Sequence, residues 1–212
     1  MIPSVRRIAA TWLLLAAAVL LATGCRESYV AFTGTAGTAP TRIAPNGLAY
    51  STAGAQVVQS QPPADTCHAR GSGLYSEPDP HCTPGALNPA VTQASIGSTI
   101  CASGWTSTVR PPESITEPEK YASIEAYGDG GSASSYEYDH DVPLELGGAV
   151  NDPRNLWPEP DYPTPSEKGY YLNPKDHLEW ALNRLVCDRH MSLSQAQRSI
   201  ATDWVSAYRR YG

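Results

Sequence analysis

The sequence predicts an α+β domain in which a short β-hairpin and the helix after it pack with additional helices under disulfide staples. Three observations carry this expectation. Residues 136–140, YEYDH, alternate in the manner of a half-exposed strand, and a second short apolar run, Asn155–Trp157, follows the turn residues Gly147-Gly148. Two segments nearer the C-terminus repeat apolar residues at helical spacing behind good capping residues. Four of the five cysteines, Cys67, Cys82, Cys101 and Cys187, fall within one stretch of domain length.

The chain has 212 residues, and the first 25 read as an export signal. Arg6 and Arg7 precede an apolar run from Ile8 to Leu21, and small residues close it before Cys25. That run is shorter than the roughly 20 apolar residues a membrane-spanning helix needs. Residues 26–65 are rich in Ala, Gly, Thr, Ser, Pro and Gln with no sustained period, which predicts a disordered tether. Residues 66–212 remain as one domain. The segment Ala22-Thr23-Gly24-Cys25 resembles the lipobox of bacterial lipoproteins. The likeness implies lipidation of Cys25 and membrane attachment through that anchor; without it the exported chain is secreted.

With Cys25 set aside, an even number of cysteines in an exported chain predicts two disulfides. No Cys-x-x-Cys spacing occurs, which disfavours a thiolate zinc site. Three pairings are open. Cys67 and Cys82 flank one Gly/Pro-rich loop, which favours Cys67–Cys82 together with Cys101–Cys187. The formal net charge is −6, against the basic face that tight duplex binding requires, but compatible with a hydrolase that uses a few local cations.

Between residues 83 and 112, Pro and Gly punctuate the chain, and loops with one or two short strands around Ile96–Cys101 are expected. Thr116 and Glu119 stand as a capping box for a helix that runs to Tyr127 and stops at Gly128. After the hairpin, Asn173-Pro174-Lys175-Asp176 opens a helix with Asn as cap and Pro at its first position. Leu178, Ala181, Leu182 and Leu185 form its apolar face. A last helix begins behind Ser192, with Gln195 as the capping-box partner, and turns Ala196, Ile200, Trp204 and Tyr208 to the core.

Asp139-His140, Pro143-Leu144, Gly147-Gly148, Asn155-Leu156 and Asn173-x-Lys175 occur in the order, and on the elements, in which HNH endonucleases carry their motif. The segment 136–180 resembles that ββα-metal nuclease family in an H-N-N version, with Asn173 where a terminal His is common. TPGALNPAVTQ, TICASGWTSTVRPP and VCDRHMSLSQAQRSIATDW look like exported bacterial HNH-type proteins as a whole. The resemblance implies a ββα-metal core over about 136–187 and a metal-dependent endonuclease acting on nucleic acid, DNA ahead of RNA.

The same resemblance distributes roles. His140 is the general base, since its ordinary pKa lies near neutrality. Asp139 and Asn173 supply oxygen to a divalent ion, Mg²⁺ first with Mn²⁺ or Zn²⁺ as alternatives, and His177 is a reserve ligand. Asn155 hydrogen-bonds the loop backbone and orients His140. Arg154 and Lys175 are the phosphate contacts. Neighbouring strand residues face opposite ways, so β-structure must end or bulge at Asp139-His140. Plainer roles stand beside these: Asn173 as a helix cap, Arg154 as a solvated loop charge, Asp139 and Asp141 as flanks of a surface histidine. The competing reading of the whole is a non-catalytic envelope lipoprotein or binding module on the same fold. No protein partner is identifiable from the sequence.

Overall fold

A computed structural model of the chain describes residues 29–30, 41–161 and 173–212. The expected export signal, the Cys25 lipidation site and the long loop before Asn173 lie outside the described residues. Among those described, helices combine with two-stranded sheets, an α+β arrangement with two disulfides, and no helix is long and apolar enough to cross a membrane.

The N-terminal part corrects the expected tether. β1 (Tyr29–Val30) pairs antiparallel with β2 (Thr41–Arg42), and β3 (Ala49–Tyr50) runs parallel to β4 (Ala86–Leu87). Ala44 is buried in the main core, and Asn46 Nδ2 donates to Gln197 Oε1 at 2.9 Å. Further along, Gln59 N donates to Glu119 Oε1 at 2.6 Å and Gln61 Nε2 to the Tyr138 hydroxyl at 3.0 Å. Residues 41–65 thus form a strap across the domain. Composition hid this, because the strap is held by hydrogen bonds to distant residues and needs few large apolar side chains of its own.

No strand forms at Ile96–Cys101; Ile96–Ser98 is a 3₁₀ turn, with Ile96 and Ile100 in the core. A short helix α1 (Trp105–Val109) ends before Pro111-Pro112, and α2 (Glu113–Ala126) begins one turn earlier than the capping-box reading expects. Pro112 takes the cap position without a side-chain bond. Glu119 caps nothing: it is 1 % exposed, and its carboxylate accepts from Gln59 N and from Asn151 Nδ2 at 3.0 Å. The expected stop holds, with Gly128 at φ +66° just past the helix end.

β5 (Tyr136–His140) and β6 (Leu156–Pro160) form an antiparallel hairpin in which Asp139 opposes Trp157 and His140 opposes Leu156. β5 ends at His140, and Asp139 and His140 both lie in its unbroken register, without a bulge at the pair. β6 runs three residues beyond the expected Trp157, through Pro158 and Pro160. Trp157, fully buried, packs with Tyr127, Ala126 and the Cys67–Cys82 disulfide.

α3 (Pro174–Cys187) starts where expected, and Asn173 caps it by accepting from Lys175 N at 3.0 Å. Its buried stripe is Leu178, Leu182 and Val186, with Leu185 half-buried. α4 (Leu193–Tyr211) starts behind Ser192, whose hydroxyl accepts from Gln195 N at 3.2 Å. Asp203 interrupts it at φ −165°, ψ 85°, and its carboxylate recaps the helix by accepting from Ser206 N. α3 and α4 close the main core over Leu87, Val91, Val142 and Leu146, and the Cys101–Cys187 disulfide ties the end of α3 to the loop before α1.

Candidate functional site

Asn155 builds the framework of the site. Fully buried, it accepts on Oδ1 from Val142 N (2.9 Å) and Ala86 N (3.2 Å), and donates from Nδ2 to Val142 O (2.9 Å) and Ala149 O (3.0 Å). All four hydrogen-bonding positions of one amide thus close the loop 142–149 against β4. The turn inside that loop needs its glycines. A Cβ on Gly148 would strike Val142 O and the Asn155 amide, and Gly147, at φ +72°, has Val91 where a side chain would go.

The next residue, Val150, holds the histidine: His140 Nε2 lies 3.2 Å from Val150 O. A carbonyl only accepts, so this contact puts the ring proton on Nε2 and leaves the lone pair on Nδ1. Nδ1 has no hydrogen-bond partner among the described residues. Burial pushes His140 down to about 4 against the opposing pull of Asp139, so the ring is neutral at physiological pH.

His140 opens on a cavity of about 930 Å³ whose walls include Glu137, Asp139, Glu145, Asp176, Trp180 and Arg110. The strand end supplies the floor, α3 one wall, the turn at Leu144–Leu146 another, and Arg110 stands at the end of α1.

Behind the floor lies a buried charge cluster. Lys175 Nζ, on a side chain 1 % exposed, bonds Asp139 Oδ2, Glu179 Oε1 and, at 2.8 Å, His140 O. Three donors meet three acceptors. Burial is the largest single influence on Asp139 and would raise it, but the Lys175 charge together with hydrogen bonds from Glu159 and Lys175 holds the carboxyl below its usual range. Glu159 shares a hydrogen bond with Asp139 and also accepts from Asn173 Nδ2 at 2.6 Å; burial, then the Asp139 charge, push it well up. Glu137, crowded by Asp139 and partly desolvated, is pushed up to about 7.

Several expected roles change against this geometry. The Asn173 oxygen is committed to the helix cap and its amide nitrogen to Glu159, so it has no free oxygen for an ion. His177 is exposed on the cavity wall, one turn on. Among the described residues, no group of three or more His, Cys, Asp or Glu is placed to hold a metal. Of the expected ligands, Asn173 is thus engaged by the helix and Glu159, and the positive charge beside Asp139 is an ammonium. Lys175 is no phosphate contact either, since it is buried with every donor engaged. Arg154 lies outside the cavity in a bidentate pair with Asp152, at 3.0 Å from Nε and 2.6 Å from the second nitrogen. A helix cap, a buried ion pair and a loop salt bridge explain these three residues without substrate.

The sequence carries no site signal for Arg110, Trp180 or Glu159. Glu159 sits between two prolines, which disguise the continuation of the strand. Arg110 lies 30 residues before His140 in a Pro/Gly-rich loop, and Trp180 is one of many aromatics; only folding brings both to the cavity. Compared with known proteins, the chain matches no family model, no curated protein and no solved structure.

Proposed function

We propose that the protein is a phosphodiester hydrolase of the HNH nuclease type, acting on nucleic acid with His140 as the base. One observation carries the reading: a neutral histidine at the end of the first hairpin strand, its Nε2 proton engaged by Val150 O, faces a cavity with its other nitrogen unpaired among the described residues. A water in that cavity can give its proton to Nδ1 as its oxygen attacks phosphorus. Arg110, exposed and close enough to depress the His140 pKa further, is the cation suited to the phosphate. The hairpin-then-helix order and the Asn155 loop clamp agree with the family pattern in the sequence.

With the Asn173 oxygen on the helix cap and Asp139 on the Lys175 ammonium, no part of the water activation is assigned to an ion. Mg²⁺ often takes only one or two protein carboxylates, the rest of its shell coming from water and phosphate. A nicking assay on supercoiled plasmid, with and without Mg²⁺ or Mn²⁺, tests both points. Activity that survives His140→Ala unchanged removes the mechanism, and activity equal in EDTA removes the metal.

The second reading, a binding module without catalysis in an oxidising extracytoplasmic space, draws on the Lys175 ammonium seated against Asp139 and on the net charge of −6. It expects no cleavage under any ion, with the fold intact.

A further inference from the structure

One wall of the cavity has no part in the chemistry above. α3 buries Leu178, Leu182 and Val186 completely, yet presents Trp180, 62 % exposed, to the cavity. The core does not need this side chain. The Arg184 guanidinium lies 4.9 Å from its ring centroid, one turn further along the helix, and supports one face while much of the indole stays open. On another side of the same cavity, the exposed guanidinium of Arg110 has neither an ion-pair nor a hydrogen-bond partner among the described residues. An open aromatic plane, an unpaired cation and a candidate base thus border one space.

We infer that Trp180 and Arg110 form a nucleotide subsite, in which the indole stacks on an unpaired base and the guanidinium holds the adjacent phosphate beside His140, making the substrate single-stranded nucleic acid. This rests on the hydrolase reading for the position of the phosphate, whereas the stacking does not depend on cleavage. Every base has a face to offer, but in a duplex both faces are covered by neighbouring pairs, so only an unpaired base can lie on Trp180. Charge points the same way. Glu145, Asp176 and a partly ionised Glu137 line the cavity, and the closely spaced phosphates of a duplex would be repelled where a single phosphate on Arg110 is accepted.

The test is fluorescence anisotropy with the full chain carrying His140→Ala, or His140→Gln if the alanine variant folds poorly, so that bound strands are not cut. The probes are a labelled single-stranded deoxyoligonucleotide, its duplex, and a strand of the same length with abasic sites throughout. The expected order is single strand tighter than duplex and than abasic strand. Adding Trp180→Ala weakens the single strand roughly tenfold, to the level of the abasic strand, while Trp180→Phe keeps most of the affinity. Arg110→Gln weakens normal and abasic strands alike. Equal binding of normal and abasic strands, indifference to Trp180→Ala, a preference for duplex, or binding of a neutral oligosaccharide in place of the strand overturns the subsite. Trp180-dependent binding by a wild-type protein that cuts nothing keeps the subsite and discards the hydrolase; cleavage indifferent to Trp180 does the reverse.

Discussion

Asn155 fixes His140 through the loop between them: its amide bonds Val142 and Ala149, and the carbonyl of the next residue, Val150, accepts a hydrogen bond from the His140 ring. Asn155→Ala strands Ala86 N, Val142 N, Val142 O and Ala149 O in a buried setting. A loss of about 3 kcal/mol or more is expected by urea denaturation, from several buried groups left unpaired at once. Asn155→Asp keeps the acceptor but sets an oxygen against Val142 O and Ala149 O in a buried site, and should cost at least as much. A shift below about 1 kcal/mol for the alanine variant would show that the clamp does not hold the loop.

The low pKa of His140 has a signed consequence for stability. Burial pushes it from 6.5 down to about 4, so between those values the unfolded chain binds a proton that the folded chain refuses. Stability from this residue is complete above pH 6.5 and is lost as pH falls toward 4. His140→Gln should flatten that part of the curve in denaturation series at pH 4.5, 5.5 and 7. If the wild type cleaves, the acid limb of kcat/KM should fall near pH 4 and not near 6.5.

Asp141 carries the opposite sign. It is 1 % exposed, neither carboxyl oxygen has a hydrogen-bond partner among the described residues, and burial pushes its pKa well up despite Lys175. The unfolded chain ionises first as pH rises, so the residue costs stability increasingly above the ordinary carboxylate range, until the folded group ionises as well. Asp141→Asn should therefore stabilise the protein by about 1–2 kcal/mol at pH 8, with the gain shrinking toward pH 4. A gain that is constant with pH would mean that Asp141 does not titrate differently on folding.

Lys175 is a structural cation in this site. Lys175→Met leaves Asp139 and Glu179 facing each other without their shared partner, and a loss of about 3–5 kcal/mol is expected. Were Lys175 a phosphate contact, the variant would keep its melting temperature and lose only substrate affinity.

The Cys101–Cys187 bond closes a span of 86 residues and anchors α3 to the loop leading to Arg110. Constraint of the unfolded chain over such a loop is worth about 4 kcal/mol. The Cys101→Ser, Cys187→Ser double variant should melt about 10 °C lower by circular dichroism. Cys67–Cys82, with a span of 15, should contribute less.

The legible parts of the fold share a cause. Asn173 and Ser192 announce helices because a cap acts on an amide two or three residues away, and the chain between cannot avoid the contact. YEYDH reads as a strand because period two is local. Thr116 and Glu119 have the same cap spacing, but Glu119 is claimed by Gln59 and Asn151, 60 and 32 residues away, and the helix starts elsewhere. The strap over 41–65 is illegible locally for the same reason, since its bonds reach Glu119, Tyr138 and Gln197.

In the site, the sequence by itself determined the placement of His140 at a strand end and the cysteines available for bridging, while the bonding of Asn155 to the loop followed from the family resemblance. Tertiary structure alone decided that Lys175, 36 positions from Asp139, neutralises it, that Asn173 turns its oxygen to the helix, and that Arg110 and Trp180 border the histidine. The division follows from range: capping and pleating depend on neighbours a few bonds apart, whereas ion pairing, burial and pKa depend on which distant groups the closed core brings together.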